Sequence, residues 1–230
     1  MTAKQTWRRG KNLAEWNYNI GEVSNTAEEF LDEPVWRRQW TTRKIELLLD
    51  ALNDFAWIES LSVDTLDGGE NSWVADSWHP QRSRSQLLYF LQREETTNIS
   101  IVLSLECTAP GRTRKQKELW IESGANILVF VEPEVQAIWR KVPGYRMSLT
   151  LFLNVDIYAP MTWAGIRDNT ELSELNQPRL SAFLQRLEEE LEAKFASVYA
   201  PDYADMVEKY GFVAVGNYKR LAFGNSLAKL

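Results

Sequence analysis

Residues 99–106 read Ile-Ser-Ile-Val-Leu-Ser-Leu-Glu, and this alternation predicts a β-strand with one buried face. Successive side chains of a strand point to opposite faces, so we expect Glu106 to lie opposite the Ile/Leu face. An equally regular alternation over residues 149–157 predicts a second strand of the same kind. The short apolar run Ile127–Val131 is typical of a buried strand. Together these segments predict that a β-sheet organises the fold.

Helices are predicted where apolar residues recur three and four positions apart, over Val35–Phe55 and Gln177–Tyr199. A further helix is predicted over Arg112–Ser123, with Gly124 as its carboxy-terminal cap. The segment Gln86–Gln92 is apolar on both faces, which favours a central strand. This order of elements predicts an α+β fold, in which helices flank a central, mostly antiparallel sheet.

The chain of 230 residues is long enough for a self-sufficient core. Residues 1–25 show no sustained period and are predicted to form an extended amino-terminal arm. We expect a single domain over residues 26–230. Its core covers about residues 35–140, and residues 141–230 add a hairpin, a helix and a strand.

Composition excludes several classes of function. One cysteine, Cys107, excludes an internal disulfide framework, and one histidine, His79, excludes a multi-histidine zinc or iron site. The net charge of −6 argues against broad, sequence-independent binding of nucleic acid, which needs many cationic contacts to phosphate. No apolar run approaches the roughly 18 residues of a membrane helix, and the amino terminus carries no secretory pattern. We therefore expect a cytoplasmic protein without membrane contact.

Ten tryptophans are unusual for this length, and several stand in polar or basic surroundings, namely Trp7, Trp16, Trp36, Trp40 and Trp78. The first four of these are candidates for contact with other subunits. An indole is large and apolar and carries one hydrogen-bond donor, so it often anchors a protein interface. These four residues are therefore predicted interface residues of an oligomer.

Residues 105–134 carry a second pattern. A strand runs to a glutamate, a proline follows four positions on, and a basic segment leads to an aromatic residue four positions before a glycine. The residues concerned are Glu106, Pro110, Trp120, Gly124 and Glu132-Pro133-Glu134. This pattern resembles the Uma family of restriction endonuclease-like proteins, within the PD-(D/E)xK nuclease superfamily. The predicted order of helix, antiparallel strands, helix and strand is similar to the core order of that superfamily.

The resemblance implies a metal-dependent DNA endonuclease. Asp76 and Glu106 would be the catalytic carboxylates and would hold a Mg²⁺ ion through oxygen ligands. The metal would activate water and neutralise charge on the phosphate. Lys115 or Lys117 would be the catalytic cation, since Gln116 stands at the family's lysine position.

The same resemblance implies DNA as the partner. Four arginines in two basic clusters are predicted to contact its phosphates, namely Arg82, Arg84, Arg112 and Arg114. With Gln116 at the lysine position, a catalytically degenerate nuclease fold is an equally open outcome.

The alternative function is non-enzymatic. The acidic pI, the tryptophan-rich start and the displaced lysine favour a structural subunit of a large assembly, such as a phage tail, neck or contractile injection component. Its partners would be other protein subunits, and its location would be the virion or assembly. No glycine-rich phosphate loop or dinucleotide fingerprint is present in the sequence.

Overall fold

The computed structural model describes residues 7–23, 34–74, 80–110, 116–132, 144–162 and 167–213. A seven-stranded antiparallel sheet dominates this part of the chain, and three α-helices accompany it. The predicted α+β class is therefore confirmed. No helix among the described residues is both long and apolar enough to cross a membrane.

The sheet contains β1 (Arg9–Val23), β2 (Ala56–Thr65), β3 (Glu70–Val74), β4 (Thr96–Pro110), β5 (Gln116–Val131), β6 (Gly144–Val155) and β9 (Lys194–Tyr199). Its strands lie in the order β3-β2-β4-β5-β6-β1-β9. The helices are α1 (Pro34–Leu52), α2 (Pro80–Leu91) and α3 (Thr170–Leu191). Short elements complete the fold: β7 (Met161–Thr162), β8 (Arg167–Asp168), a 3₁₀ helix (Pro201–Met206), β10 (Val207–Glu208) and β11 (Gly211–Phe212).

One face of the sheet forms the core. Side chains that are in register across its strands make continuous buried rows, as alternation predicts. One such row runs Leu61, Ile101, Ile127, Leu151, Trp16 and Val198. All members of this row up to Trp16 are no more than 1% exposed. We call this side of the sheet the inner face.

The helices lie against the inner face. Helices α1 and α3 contact each other, α3 contacts β4, and α2 contacts α1. The rings of Phe55 and Phe183 stack with centroids 4.5 Å apart, and Tyr158 packs beside Phe55. All three aromatic residues are buried. The described helices therefore cover only one side of the sheet.

The predicted amino-terminal arm contains β1, which lies inside the sheet. Strand β1 pairs antiparallel with β6 on one side and with β9 on the other. From residue 14 to residue 21 its side chains alternate between buried and half-buried, as in the other strands. Arg9–Val23 is thus an integral strand of the sheet rather than an arm outside it.

The predicted helix over Arg112–Ser123 is wrong for its described part. From Gln116 onward the chain is strand β5, which pairs antiparallel with β4. Leu119 lies opposite Cys107, and Ile121 lies opposite Leu105, so both take part in the inner face. This cross-strand burial outweighs the helix-forming tendency of the basic segment. Residues 111–115 lie outside the described residues.

The predicted strand Gln86–Gln92 is instead part of α2. Pro80 occupies the first position of this helix, where a missing N–H costs nothing. Leu87 and Leu91, four positions apart, are buried, whereas Tyr89 between them is exposed. Only one stripe of the apolar run therefore enters the core, as in a helix and not as in a central strand.

Helix α3 begins earlier and ends earlier than predicted. It starts at Thr170, whose backbone N–H donates to the carboxylate of Asp168 at 2.9 Å. It ends at Leu191, and Glu192 takes the left-handed conformation (φ 56°) that terminates many helices. The following residues, which we predicted as helix up to Tyr199, form the edge strand β9.

Candidate functional site

Four of the predicted nuclease residues lie outside the described residues, namely Asp76, Arg112, Arg114 and Lys115. Arg82 belongs to α2, but its side chain is likewise outside the description. The structure therefore does not describe the geometry of the predicted two-carboxylate Mg²⁺ site. In the part of the chain that the structure describes, no three His, Cys, Asp or Glu residues converge as metal ligands would. The Mg²⁺ site stays a prediction.

Glu106 forms an ion pair with a helix residue. Strand β4 continues four residues past Glu106, whose Oε1 lies 2.8 Å from Nη1 of Arg179 on α3. The same Nη1 donates to the backbone carbonyl of Glu106 at 3.1 Å. Beside it, Asn176 of α3 accepts from the backbone N–H of Thr108 at 2.7 Å and donates to its carbonyl at 2.8 Å. Helix α3 thus completes the hydrogen bonding of β4 where β2 no longer pairs with it.

The other two described cations of the predicted nuclease site, Lys117 and Arg84, lie on different elements of the fold. Lys117 is exposed on β5, opposite Ala109 of β4. Arg84 on α2 donates from Nη1 to Oδ1 of Asp50 on α1 at 2.6 Å. That hydrogen bond holds the pKa of Asp50 below its ordinary value. Arg84 therefore joins two helices through an ion pair.

The four predicted interface tryptophans occupy different environments. Trp16 is fully buried on the inner face, and its Nε1–H donates to the carbonyl of Glu208 at 2.9 Å. Trp7 is half-buried and packs against the core. In this fold Trp16 is a core residue, and its surface is not accessible to a second protein.

Trp36 and Trp40 stack on each other at the start of α1, with centroids 6.3 Å apart. Trp40 packs on the backbone of β1 at Gly21, where an added Cβ would lie 2.6 Å from the indole. Gly21 also has a φ of +67°, which disfavours any side chain there. Trp36 remains 43% exposed, and the guanidinium of Arg146 lies 4.8 Å from its centroid.

The side of the sheet opposite the helices, which we call the outer face, consists of three rows of side chains in register. The first row is Ser60, Val102, Asn126, Phe152, Glu15 and Tyr199. The second row is Ser62, Ser100, Leu128, Thr150, Asn17 and Ser197. The third row is Glu70, Asp64, Asn98, Phe130, Ser148, Asn19 and Lys194. Every one of these residues is half-buried or exposed.

Neutral residues dominate the outer face. The nine residues of these rows on the central strands β4, β5 and β6 carry no charge. The charged residues Glu15, Asp64, Glu70 and Lys194 lie on the flanking strands. Serine, threonine and asparagine fill most of the other positions, with a few large apolar side chains between them. Leu128 stands in the middle row on β5, the fourth of seven strands, and is 42% exposed. The centre of the outer face is therefore uncharged, and its apolar side chains surround Leu128.

An aromatic pair extends the outer face at one end. Trp57 is 58% exposed and Trp120 is 46% exposed. Their rings meet edge to face, with centroids 5.8 Å apart. Trp57 lies opposite Ser104, and Trp120 lies opposite Glu106, so both continue the outward alternation of β2 and β5.

A half-exposed hydrogen-bond cluster lies between this aromatic pair and the three rows. Glu59 accepts from the backbone N–H of Ser123 at 2.6 Å and from its hydroxyl at 2.8 Å. The hydroxyl of Ser104 also donates to Glu59. Burial alone would raise the pKa of Glu59, but these hydrogen bonds and the charge of Arg9 outweigh it and lower the pKa. The cluster stabilises the β-bulges of β2 and β5, which bend the strands at this point.

Sequence reasoning missed Trp57, Leu128 and Phe152 as surface residues of interest. The available signal was the outward half of the alternation, where serine, threonine and asparagine stand in place of the usual charged residues. No protein-family model, curated protein or solved structure matches this chain. The resemblance to the Uma family therefore stays a prediction, and function has to be argued from the chain's own geometry.

Proposed function

We propose that this protein is a non-enzymatic structural subunit that assembles with other protein subunits through the outer face of its sheet. The observation that carries the proposal is the composition of that face. Antiparallel sheets commonly leave one face to water, so exposure alone would say little. A solvated face, however, is normally rich in charge, and the central strands β4, β5 and β6 of this one carry none in the three rows.

Two further features support this function. Protein interfaces have cores that are depleted of charged residues and enriched in aromatic residues. The outer face places Phe130 and Phe152 on strands β5 and β6 beside Leu128, and the exposed pair of Trp57 and Trp120 at one end. Contiguous apolar side chains of this size on a protein surface commonly mark a binding site.

Metal-dependent DNA cleavage, the other predicted function, has less support among the described residues. Arg179 pairs with Oε1 of Glu106 at 2.8 Å, so a metal ion bound at that oxygen would have to displace the guanidinium. Lys117 is on a strand and not on the helix that the resemblance implied. The proposal of a structural role rests on these contacts together with the outer face.

Site-specific photo-crosslinking in the cells from which the gene derives tests the proposal. A photoreactive amino acid at Thr150, in the middle row of the outer face, is expected to form covalent adducts with protein. The same amino acid at Gln185, which is exposed on α3, is the matched control and is expected to form few. Equal labelling at both positions, or no adduct at Thr150, would refute assembly through the outer face.

A further inference from the structure

Leu128 is the largest exposed aliphatic side chain of the outer face, and it lies at the centre of that face. Leu128 lies on the fourth of seven strands and in the second of three rows. Its neighbours Val102, Phe130 and Phe152 on β4, β5 and β6 are also apolar. Residues that dominate binding energy cluster at the centre of an interface, with polar residues around them. The outer face has this arrangement about Leu128.

We infer that a second copy of this chain occupies the outer face, so that two sheets pack face to face in a two-fold symmetric dimer. The inference deepens the proposed function, on which it rests, by naming the partner. A two-fold axis that lies between two facing sheets and crosses their centres brings Leu128 of one copy against Leu128 of the other. This holds for any direction of the axis within the interface plane.

Charge favours a like partner on this face. The chain carries a net charge of −6, so two copies repel each other over most orientations. In the three rows of the outer face, the charged residues Glu15, Asp64, Glu70 and Lys194 lie on the flanking strands, and none lies on β4, β5 or β6 around Leu128. Face-to-face association therefore brings together two centres that carry no charge to repel each other.

The area of the face also suits a dimer. Six strands spaced about 4.8 Å apart, with rows about 6.7 Å apart, give a footprint of about 600 Å² for the three rows. The row of Trp57 and Trp120 raises this to about 800 Å². A stable interface of standard size buries about 800 Å² on each partner. Two outer faces thus supply the contact that a specific dimer needs.

The first experiment measures the mass of the purified full-length chain in solution by light scattering across a dilution series. The wild type is expected at twice the chain mass of 26.6 kDa. Leu128→Arg places two cations against each other at the centre and is expected to weaken the dimer at least tenfold. Leu66→Arg is the matched control, because Leu66 is 48% exposed but lines a cleft with Arg37 and Thr41 of α1. It should remain dimeric.

The second experiment keeps the inference testable if Leu128→Arg fails to fold. Facing sheets lie about 10 Å apart, so a bis-maleimide linker of about that reach is expected to join two Leu128→Cys chains. The native Cys107 is buried, so it contributes little background, and Leu66→Cys is expected to remain unlinked. A monomeric wild type, a dimer that survives Leu128→Arg, or equal linkage of both cysteine variants would each overturn the inference.

These outcomes separate the dimer from the proposed function. If the chain is monomeric but Thr150 still forms adducts with proteins of other mass, the structural role stands and the second copy is rejected. If Thr150 forms no adduct of any mass, the proposed function itself fails.

Discussion

Replacing Tyr203 with phenylalanine tests the buried junction that holds the start of β1 to the carboxy-terminal part of the chain. The hydroxyl of Tyr203 donates to Oδ2 of Asp156 at 2.6 Å, and both residues are buried. A hydrogen bond to a charged group contributes about 1.5–3 kcal/mol. Tyr203→Phe removes this donor, while Asp156 still accepts from the backbone N–H of Arg8 at 2.6 Å. We therefore expect the variant to lose about 2 kcal/mol of unfolding free energy.

Urea unfolding followed by circular dichroism measures this loss, at one fixed protein concentration because association would itself raise the midpoint. We expect a lower midpoint with an unchanged slope, and a melting temperature about 4–8 °C lower for a chain of this length. Tyr89→Phe is the matched control, because Tyr89 is 57% exposed on α2, away from the outer face, and should stay within about 0.5 kcal/mol of the wild type. Equal losses for the two variants, or none for Tyr203→Phe, would refute the reasoning.

Three further predictions concern the site. The lowered pKa of Glu59 means that its ionised form stabilises the fold above the ordinary carboxyl pKa, and that this contribution disappears as the pH falls through the lowered value. In urea unfolding, the stability gap between wild type and Glu59→Gln should therefore shrink from pH 7 to pH 3, and a constant gap would contradict this account. The purified protein should leave plasmid DNA intact with Mg²⁺; cleavage that Glu106→Ala abolishes would instead restore the nuclease hypothesis. Trp16→Phe should cost about 1–3 kcal/mol in the same unfolding assay, because it removes the hydrogen bond to Glu208 and leaves a void beside the smaller ring. Trp36→Phe, at an exposed residue of α1 away from the outer face, should change little, and equal costs would argue against a core role for Trp16.

The parts of the fold that the sequence predicted correctly are those where periodicity is regular and long. Strands β4 and β6 contain unbroken stretches in which every second residue is apolar, from Ile99 to Leu105 and from Leu149 to Val155. Helix α1 has a clear stripe of Ile45, Leu48, Leu49 and Leu52, all of which are buried. In these segments local pattern and tertiary burial agree, so the pattern alone was sufficient.

Helix α2 shows where a short apolar run is ambiguous. Residues 87–91 are Leu-Leu-Tyr-Phe-Leu, and nothing in five consecutive apolar residues distinguishes a buried strand from a helix. The decision lies outside the run, at Pro80, which can open a helix, and at Ser83, which extends the buried stripe of Leu87 and Leu91 by one turn. Without these flanking residues, the run predicts a strand where the chain forms a helix.

The outer face could not be predicted for a different reason. At a β-bulge, apolar residues of a strand take a spacing that resembles the spacing in a helix. A bulge adds a residue to one strand, so that residues on the same face become three positions apart and not two. Phe195 and Val198 pair with Tyr18 and Trp16 across such an irregularity in β9, and their spacing had extended the predicted helix through a strand.

Strand β5 contains a larger bulge. Ile121 and Ala125 are four positions apart but pair with Leu105 and Leu103, which are only two apart. Strand β5 therefore carries two extra residues here, and Ser123 between them is exposed. Once this segment is read as a helix, β4 and β5 cease to be direct neighbours, and the register that places Leu128 at the centre of the outer face is lost. The bulge is held by Glu59, which is 64 residues away from Ser123 in the sequence. No local pattern can reveal such a contact, so the surface on which the proposed function rests became visible only with the strands in register.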